Sequence, residues 1–420
     1  MTKDKSTAKK AAQKVENDDQ QPLISPTSLN TSPDTLLTHG GKTAIAGHDF
    51  VNPPIVRGST VLHANVADMK ERSRRYRNNE PGPVNYGIYG TPTHHALFEL
   101  LSELEAGYRS WALPSGLAAC TFAMLAYLHA GDHVLVTDAA YGPTRRFCID
   151  MLPRYGVQAS FYSPTVGREL ESEFRSNTRL LWLESPGSLT FEMQDVPLLA
   201  ELARARGVIT VTDNTWATPL NCQPLKLGAD VVVHAATKYI CGHSDMLMGT
   251  ITCSEAAWPS MRETLFNFGI AVSPEDAYIA LRGLRSLGAR LRQHHATAQR
   301  LIEWLVAQPE VERVLYPALP SDPGHALWKR DMTGASGLFG IVLRAEVGVE
   351  RLNAMIDAVQ LFGRGYSWGG FESLLIPVYP ERSVGPTPYA GRLFRISAGL
   401  EDPDDLIEDL QHGFAALRDL

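Results

Sequence analysis

Two apolar runs, each ending in one ionisable residue, constrain this chain more than any other feature. Val231-Val232-Val233-His234-Ala235-Ala236-Thr237-Lys238 is β-branched and bounded by small residues, the pattern of a strand covered on both faces. It runs into Lys238, where scarce water disfavours the ammonium and leaves a nucleophilic amine. A lone lysine in such a place more often reaches solvent along its apolar stem. The second run, Val208-Ile209-Thr210-Val211-Thr212-Asp213, ends in a carboxylate. Taken singly, an aspartate before Asn214-Thr215 is commonly a turn or cap residue. Neighbouring strands of one α/β sheet, however, deliver such residues into one crevice at their carboxyl edge. An amine to hold an aldehyde and an acid to keep a ring nitrogen protonated are together what pyridoxal 5'-phosphate requires.

The rest of the chain is consistent with a large enzyme. Its 420 residues suffice for two domains, and 44% apolar with 20% charged residues is ordinary for a globular protein. A net charge of -7 gives no reason to expect nucleic acid or an anionic membrane as partner. Five cysteines (Cys120, Cys148, Cys222, Cys241, Cys253) without a Cys-x-x-Cys suggest reduced thiols in the cytoplasm. The sequence holds no apolar run of the roughly 20 residues a membrane helix needs, and no apolar core follows the first lysines as a secretory signal requires.

Residues 1–33 are rich in Lys, Ala, Gln, Asp, Ser and Pro and read as a disordered tail. Residues 34–90, rich in Gly, Pro, Asn and Tyr, look irregular. From 91 to 285 helix and strand patterns alternate, as in an α/β sheet domain, with further strands expected at Arg109–Leu113, His133–Thr137 and Leu180–Leu183. A long helical pattern through Leu281, Leu284, Gly288 and Leu291 leads into residues 286–420, a smaller α+β domain with strands at Leu338–Leu343 and Leu393–Ile396.

A phosphate needs its own cradle. Pro114-Ser115-Gly116-Leu117-Ala118 follows a strand and opens a helix-forming run, whose free N–H groups bind anions while Gly116 permits close approach. Any strand-to-helix turn can look so. No Gly-x-Gly-x-x-Gly follows a strand, and Gly40-Gly41-Lys42-Thr43 lacks the first glycine of a nucleotide loop because Leu36 stands there. His94-His95 and His294-His295 are adjacent pairs whose members point apart on a helix, so no metal is expected.

Glu184-Ser185-Pro186-Gly187-Ser188, Asp213-Asn214-Thr215-Trp216, Ala236-Thr237-Lys238-Tyr239, Gly242-His243-Ser244-Asp245, Leu281-Arg282-Gly283-Leu284-Arg285 and Tyr366-Ser367-Trp368-Gly369-Gly370 together carry a resemblance. From about Asp34 onward the chain resembles the Cys/Met metabolism family of pyridoxal-phosphate enzymes. The resemblance implies the fold-type I pyridoxal-phosphate transferase architecture: a large, mostly parallel sheet domain and a smaller C-terminal α+β domain. It implies that Lys238 holds the cofactor and then acts as acid–base, with Asp213 on the ring nitrogen. Tyr141, by itself a turn residue, would stack on the ring. Gly116, Leu117 and Thr237 would serve the phosphate, and Tyr86 would reach the phosphate of a neighbouring subunit in a homotetramer with shared sites.

Arg395 has support of its own. It alternates with Phe394 and Ile396, and its guanidinium suits the bidentate capture of an amino-acid carboxylate, although a solvent-facing arginine fits the pattern as well. Ser367 and Trp368 would line the substrate pocket. Two departures from the family pattern stand out: Ile88 occupies the place of a phosphate-binding arginine, and Ala235 that of a serine. Arg57 is a candidate replacement. The branch resembled most eliminates at the Cβ–S bond of L-cystathionine, giving homocysteine, pyruvate and ammonia in methionine biosynthesis. A γ-synthase or γ-lyase type of enzyme, or a catalytically weak regulatory protein on the same scaffold, are the alternatives.

Overall fold

The computed structural model describes residues 31–42, 50–78, 80, 84–389 and 391–418. Residues 1–30, most of the expected tail, lie outside these. Seven strands form the main sheet: β1 (Arg109–Leu113), β2 (His133–Thr137), β3 (Gln158–Tyr162), β4 (Thr178–Glu184), β5 (Ile209–Asp213), β6 (Val231–Ala235) and β7 (Gly249–Cys253). Their order is β1-β7-β6-β5-β4-β2-β3. All neighbours are parallel except those involving β7, which runs against both β1 and β6. A second, antiparallel sheet follows, in the order β10 (Leu374–Pro377), β11 (Leu393–Ser397), β9 (Leu338–Leu343), β8 (Val311–Leu315).

The main sheet's apolar runs follow from its having two covered faces. Val134, Val136, Leu180 and Trp182 pack into a core with the helices Pro92–Leu104 and Gly116–Leu125. Their neighbours Leu135, Leu181 and Leu183 face the other way, onto Leu199 and Leu202 of helix Val196–Arg204. A third cluster joins the second sheet to helices Leu287–Leu305 and Pro403–Arg418. Two buried hydrogen bonds tie the sheets together: Trp216 Nε1 donates to the Leu338 carbonyl at 2.9 Å, and Gly337 N to the Tyr239 hydroxyl at 2.9 Å.

Three expectations need correction. Strand β6 stops at Ala235, and Lys238 follows in a turn whose amide donates to the Ala235 carbonyl at 3.0 Å, so the lysine is not the strand's last residue. Residues 34–90 are not wholly irregular. Helix Pro33–His39 begins there, and helix Val66–Arg77 starts with Asn65 accepting from the Asp68 amide while Asp68 accepts from the Ala64 amide. None of that second helix is buried, so it has no apolar period to read. The long helical pattern around Leu284 is two helices, Pro274–Arg285 and Leu287–Leu305, broken at Ser286, whose amide and hydroxyl both turn back to the Gly283 carbonyl. No helix among the described residues is long and apolar enough to cross a membrane.

Candidate active site

Because β1, β2, β4, β5 and β6 are parallel, their carboxyl ends open on one edge of the sheet. That edge gathers the chemistry. Strand β5 delivers Asp213, and its hydrogen-bonded neighbour β6 leads to Lys238. Asp213 is buried, and its Oδ1 accepts from the Thr215 amide at 3.0 Å and the Thr215 hydroxyl at 2.5 Å. The Thr215 oxygen in turn accepts from Ala235 N at 2.9 Å, which locks the acid to the lysine-bearing strand. Oδ2 has a weak donor, the Cys120 thiol at 3.9 Å. Burial pushes the Asp213 carboxyl up and the Thr215 donors pull it back. A carboxylate with one oxygen anchored by two donors and the other met only by a weak one fits a protonated ring nitrogen.

Lys238 Nζ lies 2.5 Å from Ser367 Oγ and 5.2 Å from the centroid of the Trp368 ring. Burial, helped by the Arg395 guanidinium and opposed by Asp213, lowers the amine's pKa to about 8. The sequence argument thus has its physical counterpart, although the amine is desolvated by a loop of the second sheet rather than by the strand alone. Ser367 holds φ +87°, a region that side chains rarely adopt, and such strain persists where the surroundings over-determine it. Its hydroxyl meets Lys238 while its carbonyl accepts from Arg395 Nη2 at 2.9 Å. Next along, Gly369 has φ +77°, and a Cβ there would come within 3.2 Å of the Lys238 carbonyl carbon. Only glycine lets this loop lie on the lysine's own backbone.

Arg395 is buried although its strand neighbours are buried too, because its guanidinium reaches the crevice between the sheets. There Tyr141 and Tyr239 act on it, against a burial that lowers it to about 10. Tyr141, half exposed, stands at the start of helix Gly142–Arg146, its amide donating to Glu184 Oε2 at 2.8 Å. Burial and the neighbouring acids raise its phenol.

The phosphate candidates separate. Helix Gly116–Leu125 starts at the carboxyl end of β1, and its first amides, those of Gly116 and Leu117, precede the first intrahelical bond, from Ala119 N to the Ser115 carbonyl. A Cβ on Gly116 would fall 2.5 Å from the Ala235 Cβ, so the helix start presses directly on the residue that lacks the expected hydroxyl. The Thr237 hydroxyl is committed elsewhere: it donates to the Met248 carbonyl at 3.2 Å and accepts from the Met248 amide at 3.0 Å. To give its proton to a phosphate it would have to release that carbonyl. Tyr86 stands apart, half exposed, bridging to Thr60 and edge-on to Tyr89 at 6.4 Å. Ile88 lines a small apolar cavity with Phe98 and Trp111. Arg57, the candidate replacement, pairs with Glu275 at 3.1 Å. The histidine pairs have structural work: His94 caps its helix at Thr91 N and meets the Val272 carbonyl, and His294 meets the Ala398 carbonyl.

Three residues at this edge carry no role in the sequence reading: Thr215, Cys120 and Glu184. Only Glu184 offered a signal, since it ends an apolar run as Asp213 does.

The family model described as Cys/Met metabolism PLP-dependent enzyme matches residues 34–415. The chain belongs to that family. It is a pyridoxal-phosphate-dependent enzyme, and Lys238, Asp213 and the Gly116–Leu117 amides fit the aldehyde, ring nitrogen and phosphate of that cofactor. A Rhizobium johnstonii protein provisionally named a cystathionine beta-lyase is 46% identical over 92% of this chain and 97% of its own. Escherichia coli cystathionine beta-lyase MetC is 41% identical over 91% of this chain and 98% of its own. The crystal structure of metB from Corynebacterium glutamicum matches with a TM-score of 0.83 at 30% identity, over 93% of this chain and 99% of that one.

Proposed function

We propose that this protein is a cystathionine β-lyase, a carbon–sulfur lyase that splits L-cystathionine into homocysteine, pyruvate and ammonia for methionine biosynthesis. The observation that carries this reading is the meeting of Lys238, at about 8 on the pH scale, with Arg395 across Ser367. Bound pyridoxal phosphate supplies an electron sink for the pair left when the substrate's Cα–H bond breaks. The protein supplies everything else. Arg395 takes the substrate carboxylate in a two-pronged grip, with Ser367 and Trp368 beside it. Lys238 removes the Cα proton and returns a proton to the departing sulfur, work suited to an amine that titrates near neutrality. Asp213 holds the ring nitrogen in its protonated form. Tyr141 packs by the ring and assists deprotonation of the incoming amine.

The proposal extends to a cofactor-binding part of residues 91–285, a substrate-binding part of 286–420 and a tail of 1–33. It also makes the enzyme a cytoplasmic homotetramer in which residues 34–90 touch a neighbour and Tyr86 reaches that neighbour's phosphate. Supporting this are five buried free thiols and the exposed apolar side chains Phe50, Val51 and Leu62. Incubation with L-cystathionine and identification of the products is the test. Pyruvate with homocysteine is expected; cysteine with 2-oxobutyrate would make the enzyme a γ-lyase instead.

A further inference from the structure

Glu184 ends β4 in register with Asp213 at the end of β5. Residues paired across parallel strands present their side chains to the same face, so two carboxyl groups share this edge. The two are not treated alike. Asp213 has two Thr215 donors on one oxygen, whereas Glu184 has a single amide donor, Tyr141 N at 2.8 Å. Burial and the adjacent Asp213 push the Glu184 carboxyl well above the ordinary carboxylate range. The titratable groups that face it are Asp213 from β5, Tyr141 from the loop after β2, and Cys120 from helix Gly116–Leu125. Two like charges at adjoining strand ends disfavour each other, and the member with more hydrogen-bond donors, Asp213, keeps the charge.

The support behind Glu184 is extensive. Its amide donates to Gln194 Oε1 at 3.0 Å, and buried Gln194 is fixed by Ser185 Oγ, which accepts from its amide at 2.9 Å, and by the Tyr162 hydroxyl at 3.2 Å. These bonds fix the Glu184 backbone, and so the point from which its carboxyl reaches Tyr141. Tyr141 stands at the N-cap of helix Gly142–Arg146 with φ -46° and ψ 129° and makes no side-chain cap bond there. The Glu184 carboxyl is therefore what fixes its amide.

We propose that Glu184 is a positioning residue that works as a neutral acid, its carbonyl oxygen anchoring the Tyr141 amide and its proton leaving Asp213 as the one anion for the cofactor ring. This rests on the reading of Tyr141 and Asp213 given above. It makes an unusual demand: glutamine, neutral and with the same carbonyl reach, must replace Glu184 almost without effect, while alanine must not.

The test compares holoenzymes of the native protein, Glu184→Gln, Glu184→Ala, Tyr141→Ala and the Glu184→Ala/Tyr141→Ala double variant. Visible absorbance is titrated with pH, visible circular dichroism reports the cofactor's pose, and kcat and KM are measured with L-cystathionine. Glu184→Gln should keep the native absorbance midpoint, dichroism and kinetics. Glu184→Ala should alter the dichroism and lower kcat/KM about tenfold, since the Tyr141 amide loses the acceptor that sets its place. That loss should vanish in the Tyr141→Ala background, since the effect passes through Tyr141. A lower midpoint in Glu184→Gln, the sign of a negative charge removed, would overturn the proposal. So would native behaviour of Glu184→Ala, or an undiminished loss in the double variant. Should the native protein take up no cofactor, the reading in the preceding section falls too; a normal native band with failing variants sinks this inference alone.

Discussion

Lys238 gives a quantitative prediction about the protein without its cofactor. Its amine is lowered from 10.5 to about 8 by burial and by the Arg395 guanidinium. Only the neutral amine attacks an aldehyde, so the neutral fraction sets the rate of cofactor capture. At pH 7 that fraction is about one in ten for Lys238 and about one in three thousand for an ordinary lysine, a ratio of roughly 300. Stopped-flow absorbance of cofactor-free protein mixed with pyridoxal phosphate, from pH 6 to 11, reads the rate directly. N-acetyl-lysine methylamide in the same buffers, its rate divided by its own neutral fraction, removes the cofactor's ionisations from the comparison. The corrected rate should climb with pH and level off above about 8. Arg395→Gln removes the nearby cation, so the break should move upward. A corrected rate still rising about tenfold between pH 8 and 9, as that of an ordinary lysine does, would refute the claim that this amine is desolvated.

Arg395→Ala should raise KM for L-cystathionine by about 30-fold or more, with a smaller change in kcat, since losing one partner of a buried charge pair costs about 2–5 kcal/mol; an unchanged KM would remove Arg395 from substrate recognition. Asp213→Ala should cut kcat more than any other single change outside Lys238, and steady-state kinetics with the cofactor at saturation would show it. Gly116→Ala places a methyl 2.5 Å from the Ala235 Cβ. Equilibrium dialysis should find the cofactor held more weakly, and Ala235→Gly should restore binding only in part, because the Ala235 Cα would still lie 2.9 Å from the new methyl.

The central pair was legible because chemistry and burial coincide in it: an apolar run that ends in a charge shows where the sheet edge must be. Lys238 and Asp213 stood out only as a pair, since each alone fits a bland role, and the turn that carries Lys238 past the end of β6 left no mark in the pattern. The burial of Arg395 against the Ser367 carbonyl was not legible, because a solvent-facing arginine fitted its strand pattern as well. The same holds for Ser367, because its left-handed backbone and its twin contacts to Lys238 and Arg395 exist only once the second sheet is docked. Thr215 carried no role in the sequence reading, and its hydroxyl bridge between β5 and β6 is likewise tertiary. Helix Val66–Arg77 was missed because a helix with no buried residue leaves no apolar rhythm, although Asn65 and Asp68 do signal its start. The break at Ser286 has no proline or glycine of its own to announce it.

The rivet formed by Tyr239, immediately after Lys238, bears on how such an enzyme can change its diet. Its ring lies 5.4 Å from Trp368 and its hydroxyl takes the Gly337 amide, so the segment bearing the reactive amine is fastened to the half of the molecule that carries Ser367, Trp368 and Arg395. Grafting that half from a relative with other tastes would succeed only where the donor brings a socket for this phenol. Evolution by recombination is thereby steered toward swapping side chains within the pocket, not whole halves around it.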